Sequence, residues 1–341
     1  MARELVALSP DSLEIREVED PVVDDGQVLI RSQQAAAKHG TETASVKGYG
    51  DRGRFDRELH LFLDADTPHR SEHPVGNMVV GTVEAVGAGV TEFSVGDRVT
   101  AHSPFRDLIA RDAGRCWKLP RNMPWQSAVC LDPAEFAMGA VRDGHVRVGD
   151  AVAVFGMGAI GLLVVQLAKL SGADPVIALD PLDNRREAAS RCGADAVLDP
   201  SACDAGLEIK RATQNRGADV VIDYSGNVHA MQAALRGVAY GGNVVAGAYP
   251  PPYGEGLDLG AEAHFNTPNL IFSRTCSAPL RDHPRWTEAR IFEHCWKLLS
   301  DGTLTGEPIV SPIVPFDQIV NEYPKIMSDP ASNVKLGCTF E

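Results

Sequence analysis

At 341 residues the chain is longer than one small core organises and suits two domains. Its apolar fraction of 44% and charged fraction of 23% are those of a packed globular protein, with no repeat or low-complexity segment. A formal charge of −14 repels phosphate backbones and anionic lipid surfaces, which argues against nucleic acid or membrane as a partner.

The opening MARELVALSPDSLEIREVEDP carries acidic residues where a secretion signal needs a basic flank and an apolar stretch, so a cytoplasmic protein is expected. From residue 1 to about 120, β-type runs such as QVLIRS, MVVGTVEAVG and DRVTAH alternate with Gly, Pro and Asp turn signals, predicting a mostly β domain. Within it, KGYGDRGRFDRELHLFLDADTPHR is long and polar. Its Tyr49, Arg52, Arg54, Arg57 and His60 can grip a polyhydroxylated or anionic substrate, or form a solvated surface insertion. From about 148 the pattern becomes apolar runs alternating with helical stretches: AVAVFG, AIGLLVVQLAKLSGA, PVIALD, NRREAASRCGA and AVLD. This predicts parallel βαβ units, continued by DVVIDYSG, HAMQAALRGVAYGG and NVVAGAY, with NLIFSRTCS as a last strand. The most apolar run, Gly161 to Leu170, is about half the length that spans a bilayer. From about Trp286, a helical RWTEARIFEHCWKLLSDG and a strand-like KLGCTFE are expected to fold back onto the first domain. The predicted division is 1–135 with 286–341 against 136–285. Seven cysteines are scattered with no metal or redox spacing and read as buried or idle thiols.

The strongest motif is Gly156-Met157-Gly158-Ala159-Ile160-Gly161, directly after the strand AVAVF and opening a helix. Gly156 allows the tight turn, Gly158 the approach of a pyrophosphate, and Gly161 close packing of helix on strand, while the helix N-terminus faces the phosphates. Asp180, 19 positions after Gly161, ends the second strand where a dinucleotide fold places the acid that holds the adenosine ribose, which argues for NAD. Arg185 and Arg186 follow it, able to meet a 2′-phosphate or to stand solvated. Ser225, Gly226 and Gly247 end later strands at the same carboxyl edge, either as turns or as room for the nicotinamide half.

With these motifs placed, the stretches HPVGNMVVGTVEAVGAGVTEFSVGDRV, VAVFGMGAIGLLVVQLAKLSGA, GADVVIDYSGNVHAMQAALRGVAYGGNVV and NVKLGCTF resemble the medium-chain, zinc-type alcohol dehydrogenase superfamily nearly end to end. The resemblance implies an α/β chain: a GroES-like, mostly β catalytic domain with an inserted Rossmann doubly wound parallel sheet. It also implies a homodimer formed by pairing the Rossmann sheet edges. The metal positions depart from the family pattern. His39-Gly40-Thr41-Glu42 matches a stretch that begins with a Cys ligand, Gly76-Asn77-Met78 matches a Gly-His-Glu stretch, and Asp132 matches a later Cys or Glu ligand. An Asn amide is a poor zinc ligand, and around residues 95 to 117 only Cys116 remains of a four-cysteine structural site, so no zinc is expected. These departures, with Trp286 to Arg290, also resemble a zinc-less, bacteriochlorophyllide-dehydrogenase-like subgroup.

Hydride chemistry then belongs to the nicotinamide, and a side chain must take the alcohol proton. His39 titrates in the range that suits this, or fills a vacated metal pocket. Thr41 matches the hydroxyl that relays the proton in zinc-dependent relatives, or stabilises a turn. Asp132, with Glu135, is an acid near the cleft or a cap of the helix after Pro133. Lys38, His60 and His102 are weaker candidates. The expected function is NAD(H)-dependent interconversion of a secondary alcohol, sugar- or cyclitol-like, and its ketone. An NADPH-dependent enone or quinone reductase and a non-catalytic NAD(H) sensor stand as alternatives.

Overall fold

The computed structural model describes residues 1–9, 12–38, 40, 42, 52–63 and 72–340. The chain divides into two compact units: Met1–Lys118 with Ile313–Ser328 and Leu336–Glu341, and Leu119–Pro312 with Asp329–Lys335. No helix among the described residues is long and apolar enough to cross a membrane.

The first unit is built from β1 (Ala2–Ser9), β2 (Ser12–Val18), β3 (Gln27–Ala36), β4 (Arg54–Asp56), β5 (Leu61–Leu63), β6 (His73–Pro74), β7 (Met78–Val86), β8 (Arg98–His102), β9 (Leu108–Asp112) and β10 (Cys116–Lys118). β1 and β2 form an antiparallel hairpin joined by β6, and β4 pairs only with β5. The larger sheet runs β10-β8-β7-β3 and continues into two strands from the far end of the chain. β3 shows the period-two logic: Val28 and Ile30 are buried while Leu29 and Arg31 turn outward. Its inward residues join Val79, Val83, Val99, Ile109, Phe105 and Tyr323 in one core.

In the second unit, in chain order, come α1 (Leu131–Asp143), β11 (Val152–Phe155), α2 (Ala159–Leu170), β12 (Val176–Leu179), α3 (Asp183–Arg191), β13 (Ala196–Leu198), α4 (Ala205–Ala212), β14 (Ala218–Asp223), α5 (Val228–Gly237), β15 (Val238–Ala246), β16 (Asn269–Phe272) and α6 (Glu288–Ser300). The strands form one sheet in the order β13-β12-β11-β14-β15-β16, with every pairing parallel. This is the doubly wound order of a dinucleotide-binding fold, whose switch point lies between β11 and β14. VAVF and VIAL are buried at every residue, as strands covered on both faces must be.

Two late strands complete the chain: β17 (Val310–Pro315) and β18 (Lys335–Thr339) extend the larger sheet of the first unit, with Gly337 opposite Ala36. Residues 119–135 and the helix of 288–300 pack with the Rossmann unit, because α1 buries one side against α2 and another against α6. Of the residues after Trp286, Ile313–Ser328 and Leu336–Glu341 group with the first unit, and α6 with the second. Five cysteines are buried, and burial pushes the Cys116 and Cys130 thiols up to about 12.

Candidate active site

β11 ends at Phe155 and α2 begins at Ala159, so Gly156, Met157 and Gly158 make the whole turn. Gly156 has φ +87°, and a Cβ there would lie 2.6 Å from the Ser225 nitrogen, so the turn is pressed against the end of β14. A Cβ on Gly161 would lie 1.9 Å from the Gly156 carbonyl oxygen. At Gly158 nothing stands within 4 Å of that position. Gly158 caps α2 without a side-chain bond, so the first-turn amides of Ala159, Ile160 and Gly161 are offered at a half-buried surface.

Asp180 follows β12 and is 3% exposed. Its Oδ2 accepts from the Met157 N–H at 2.8 Å and its Oδ1 from the Leu182 N–H at 2.9 Å. It therefore ties the glycine turn to the end of the neighbouring strand, a role that spacing alone did not show. Arg185 Nη1 lies 3.8 Å from the Asp180 carboxylate. Arg186 donates to the Asp180 carbonyl at 2.7 Å and pairs with Asp183 and, at 3.6 Å, Asp199. Both arginines are mostly buried rather than solvated.

At the end of β14, the Asp223 carboxylate accepts from the Ser225 N–H at 2.8 Å and from Ser225 Oγ at 2.6 Å. Burial pushes its pKa up to about 6 against these bonds. Gly226 adopts φ +65°, which favours glycine. Gly247 is required for a different reason: its Cβ would sit 2.5 Å from the Tyr224 ring. The buried Tyr224 hydroxyl donates to the Phe136 carbonyl of α1 at 2.9 Å. Tyr224 was absent from the sequence-derived site because its role is purely spatial.

In the first unit, Asn77 and Met78 lie where β3 ends and β7 begins. The Asn77 N–H donates to the Ala36 carbonyl at 3.0 Å, and Met78 stands opposite Ala36 and His102. His102 also stacks edge-on to Trp117. The Glu42 N–H donates to the Lys38 carbonyl at 3.0 Å. The Glu42 carboxylate accepts from the Gly76 N–H at 2.6 Å and from the Tyr323 hydroxyl at 2.7 Å. Burial and this carboxylate hold the Tyr323 phenol well above 10. Tyr323 gave no local signal, being 281 residues from its partner. Tyr323→Phe removes one charge-assisted bond, so a stability loss of about 1.5–3 kcal/mol is expected. Urea unfolding checks it, with a lower midpoint at unchanged slope. An unchanged midpoint would mean that Glu42 is held without the phenol.

His39, Thr41 and Tyr49 lie outside the described residues. In the polar segment that holds Tyr49, Arg54 sits in β4 and Arg57 and His60 in the turn to β5, all exposed. Asp132 and Glu135, in the second unit, are buried in the first turns of α1. The residue that caps that helix is Cys130, which makes no side-chain cap bond, so neither acid is its N-cap.

Residues 24–161 match the family described as alcohol dehydrogenase GroES-like domain, and residues 159–278 that described as zinc-binding dehydrogenase. D-guloside 3-dehydrogenase of Escherichia coli (strain K12) is 42% identical over 350 residues, covering 99% of this chain and 100% of the relative. The chain belongs to the medium-chain dehydrogenase/reductase superfamily. It is an alcohol/polyol-type dehydrogenase. Two solved members of similar fold each cover 99% of both chains at 20% identity: a putative zinc-binding dehydrogenase from Sinorhizobium meliloti 1021 bound to NADP, TM-score 0.77, and a short chain alcohol dehydrogenase from E. coli CFT073 complexed with NADH, TM-score 0.74.

For a medium-chain dehydrogenase the donor set at the metal positions is unusual. Asn77 stands where an imidazole belongs, and its neutral amide does not replace one. Among the described residues no three His, Cys, Asp or Glu side chains converge to hold a metal. At the strand ends of the second unit stand open space at Gly158, a helix start without a side-chain cap bond and the buried Asp180.

Proposed function

We propose that this dehydrogenase oxidises a secondary alcohol on a sugar- or glycoside-like substrate, using NAD and no catalytic zinc. The 42% identity to D-guloside 3-dehydrogenase across the full length of both chains carries the substrate class. The cofactor choice rests on Asp180. Each of its oxygens accepts one backbone N–H and keeps a lone pair for a ribose hydroxyl. A 2′-phosphate would bring like charge to a buried carboxylate, and of the two arginines after it Arg186 is already engaged with Asp183 and Asp199.

The bound nicotinamide supplies the hydride acceptor. The amides of Ala159, Ile160 and Gly161 hold the pyrophosphate, Asp180 and Arg185 the adenosine ribose, and Ser225, Gly226 and Gly247 border the nicotinamide half. The alcohol proton passes to His39, with Thr41 as its hydroxyl relay and Asp132 as the buried acid of the set. The unsuitability of Asn77 as a ligand supports a proton route through side chains. A cytoplasmic homodimer is the proposed form, its subunits pairing along β16, whose Leu270 and Phe272 are exposed at the sheet edge.

Fluorescence titration with NADH and NADPH, beside elemental analysis, tests this reading: NADH should bind at least tenfold more tightly, with no stoichiometric zinc. NADPH preference would favour the enone or quinone reductase, which the Arg185 guanidinium beside Asp180 would then serve. Among sugars and glycosides, turnover should fall on a secondary hydroxyl, and no turnover on any would leave the sensor reading. The double substitution of Arg54 and Arg57 by Ala should raise substrate KM severalfold at constant kcat. An unchanged KM would remove the β4–β5 hairpin from the substrate site.

A further inference from the structure

We propose that the second unit carries a binding site for a small amphiphilic anion, an apolar aromatic body bearing one phosphate or carboxylate, remote from the dinucleotide edge. A cavity of about 460 Å³ opens there, bordered by the last turns of α1 and α2 and the middle of α6. It lies within the volume range of small-molecule sites. α2 starts at the glycine turn and ends at the cavity, so the two are separated by its length of about 18 Å. None of the residues around the cavity belongs to the cofactor edge.

The floor is apolar, made by Met138, Val141, Leu167 and Leu298, and Trp286 forms a wall. The rim is cationic. Arg142 pairs with Asp282, and its guanidinium carbon stands 3.8 Å from the centre of the Trp286 ring; that of Arg290 stands at 4.2 Å. Arg285 is 3.6 Å from the same Asp282, the only acid lining the cavity among the described residues. Arg147 uses its backbone N–H to bond Asp150, while its guanidinium has no partner among the described residues. Arg142, Arg147, Arg285, His145 and His294 thus line the cavity beside one carboxylate, in a chain of net charge −14.

Part of this positive charge has an ordinary use. α1 and α2 both present their carbonyl ends here, and Arg142 lies in the last turn of α1, where a cation offsets the dipole. The same dipoles disfavour an anion deep in the cavity. Arg147 and Arg285 lie outside the helices and on the exposed side. An anionic head therefore sits at the rim between these two forks, which match phosphate and carboxylate geometry, and the apolar body enters below it against Trp286.

Phenyl phosphate, inorganic phosphate and phenol, titrated into the full-length protein by calorimetry, test the site. Phenyl phosphate should bind at least tenfold more tightly than either fragment and should not be displaced by NADH. Exchanging Arg147 and Arg285 for Ala should weaken it at least tenfold with NADH affinity and thermal midpoint unchanged, and Trp286→Phe should remove the fluorescence change on binding. Equal binding of inorganic phosphate, displacement by NADH, or undiminished binding by the double variant would overturn the proposal. So would a dimer or higher assembly that dissociates in the double variant, since a second copy would then cover the cavity.

Discussion

Gly161→Ala should weaken NADH binding by two orders of magnitude or more and lower the thermal midpoint. The added methyl would meet the Gly156 carbonyl oxygen at 1.9 Å, far inside any real contact. The turn cannot retreat, because Gly156 is already pressed against the Ser225 backbone on its other side. The start of α2 must move instead, carrying its first amides out of line with the phosphates. Two lost charge-assisted bonds at about 1.5–3 kcal/mol each correspond to roughly 10²–10⁴ in Kd, beside an overpacking cost of about 1–3 kcal/mol in stability. Gly158→Ala is the matched control. Its methyl enters open space, so the midpoint should hold while affinity still falls as the methyl takes the phosphates' place. A Kd for Gly161→Ala within threefold of the parent would place the phosphates elsewhere.

Asp180→Asn should shift the ratio of kcat/KM for NAD over NADP by about two orders of magnitude towards NADP. Asn keeps one acceptor oxygen where the carboxylate uses two, so either the Met157 or the Leu182 N–H faces a donor. A stability loss of about 1–3 kcal/mol accompanies that mismatch. The charge that repels a 2′-phosphate disappears, and Arg185 is left without its carboxylate neighbour. An unchanged ratio with a lowered midpoint would make Asp180 a clamp of the glycine turn and nothing more.

What was legible in the sequence was local or periodic. Strand and helix alternate after residue 148 and the glycine motif is contiguous, so the doubly wound sheet and the tight turn at Gly156–Gly158 could be read from spacing. The same spacing located Asp180 but not its bonds to Met157 and Leu182, which need the turn folded back onto the next strand. Gly139 and Gly247 show the limit from another side. Each is glycine because a distant side chain fills its space, Thr275 in one case and Tyr224 in the other. The grouping of α1 with α2 and α6 likewise depends on contacts between helices far apart in the chain. Glu42 was visible as a residue, while its bond to Tyr323 exists only after almost the whole chain has folded.

The pairing of β18 with the second half of β3 has a consequence for biosynthesis. Gln34, Ala35 and Ala36 emerge from the ribosome about 300 residues before Cys338 and its neighbours arrive to cover them. At ordinary elongation rates that interval is roughly 15–60 s. The intervening residues include the whole six-stranded sheet of the second unit, which can mature while that stretch of β3 still presents unpaired amides. Translation stalled before residue 335 therefore leaves a finished Rossmann sheet tethered to an adhesive one, and slow codons late in the message should raise aggregation more than slow codons early.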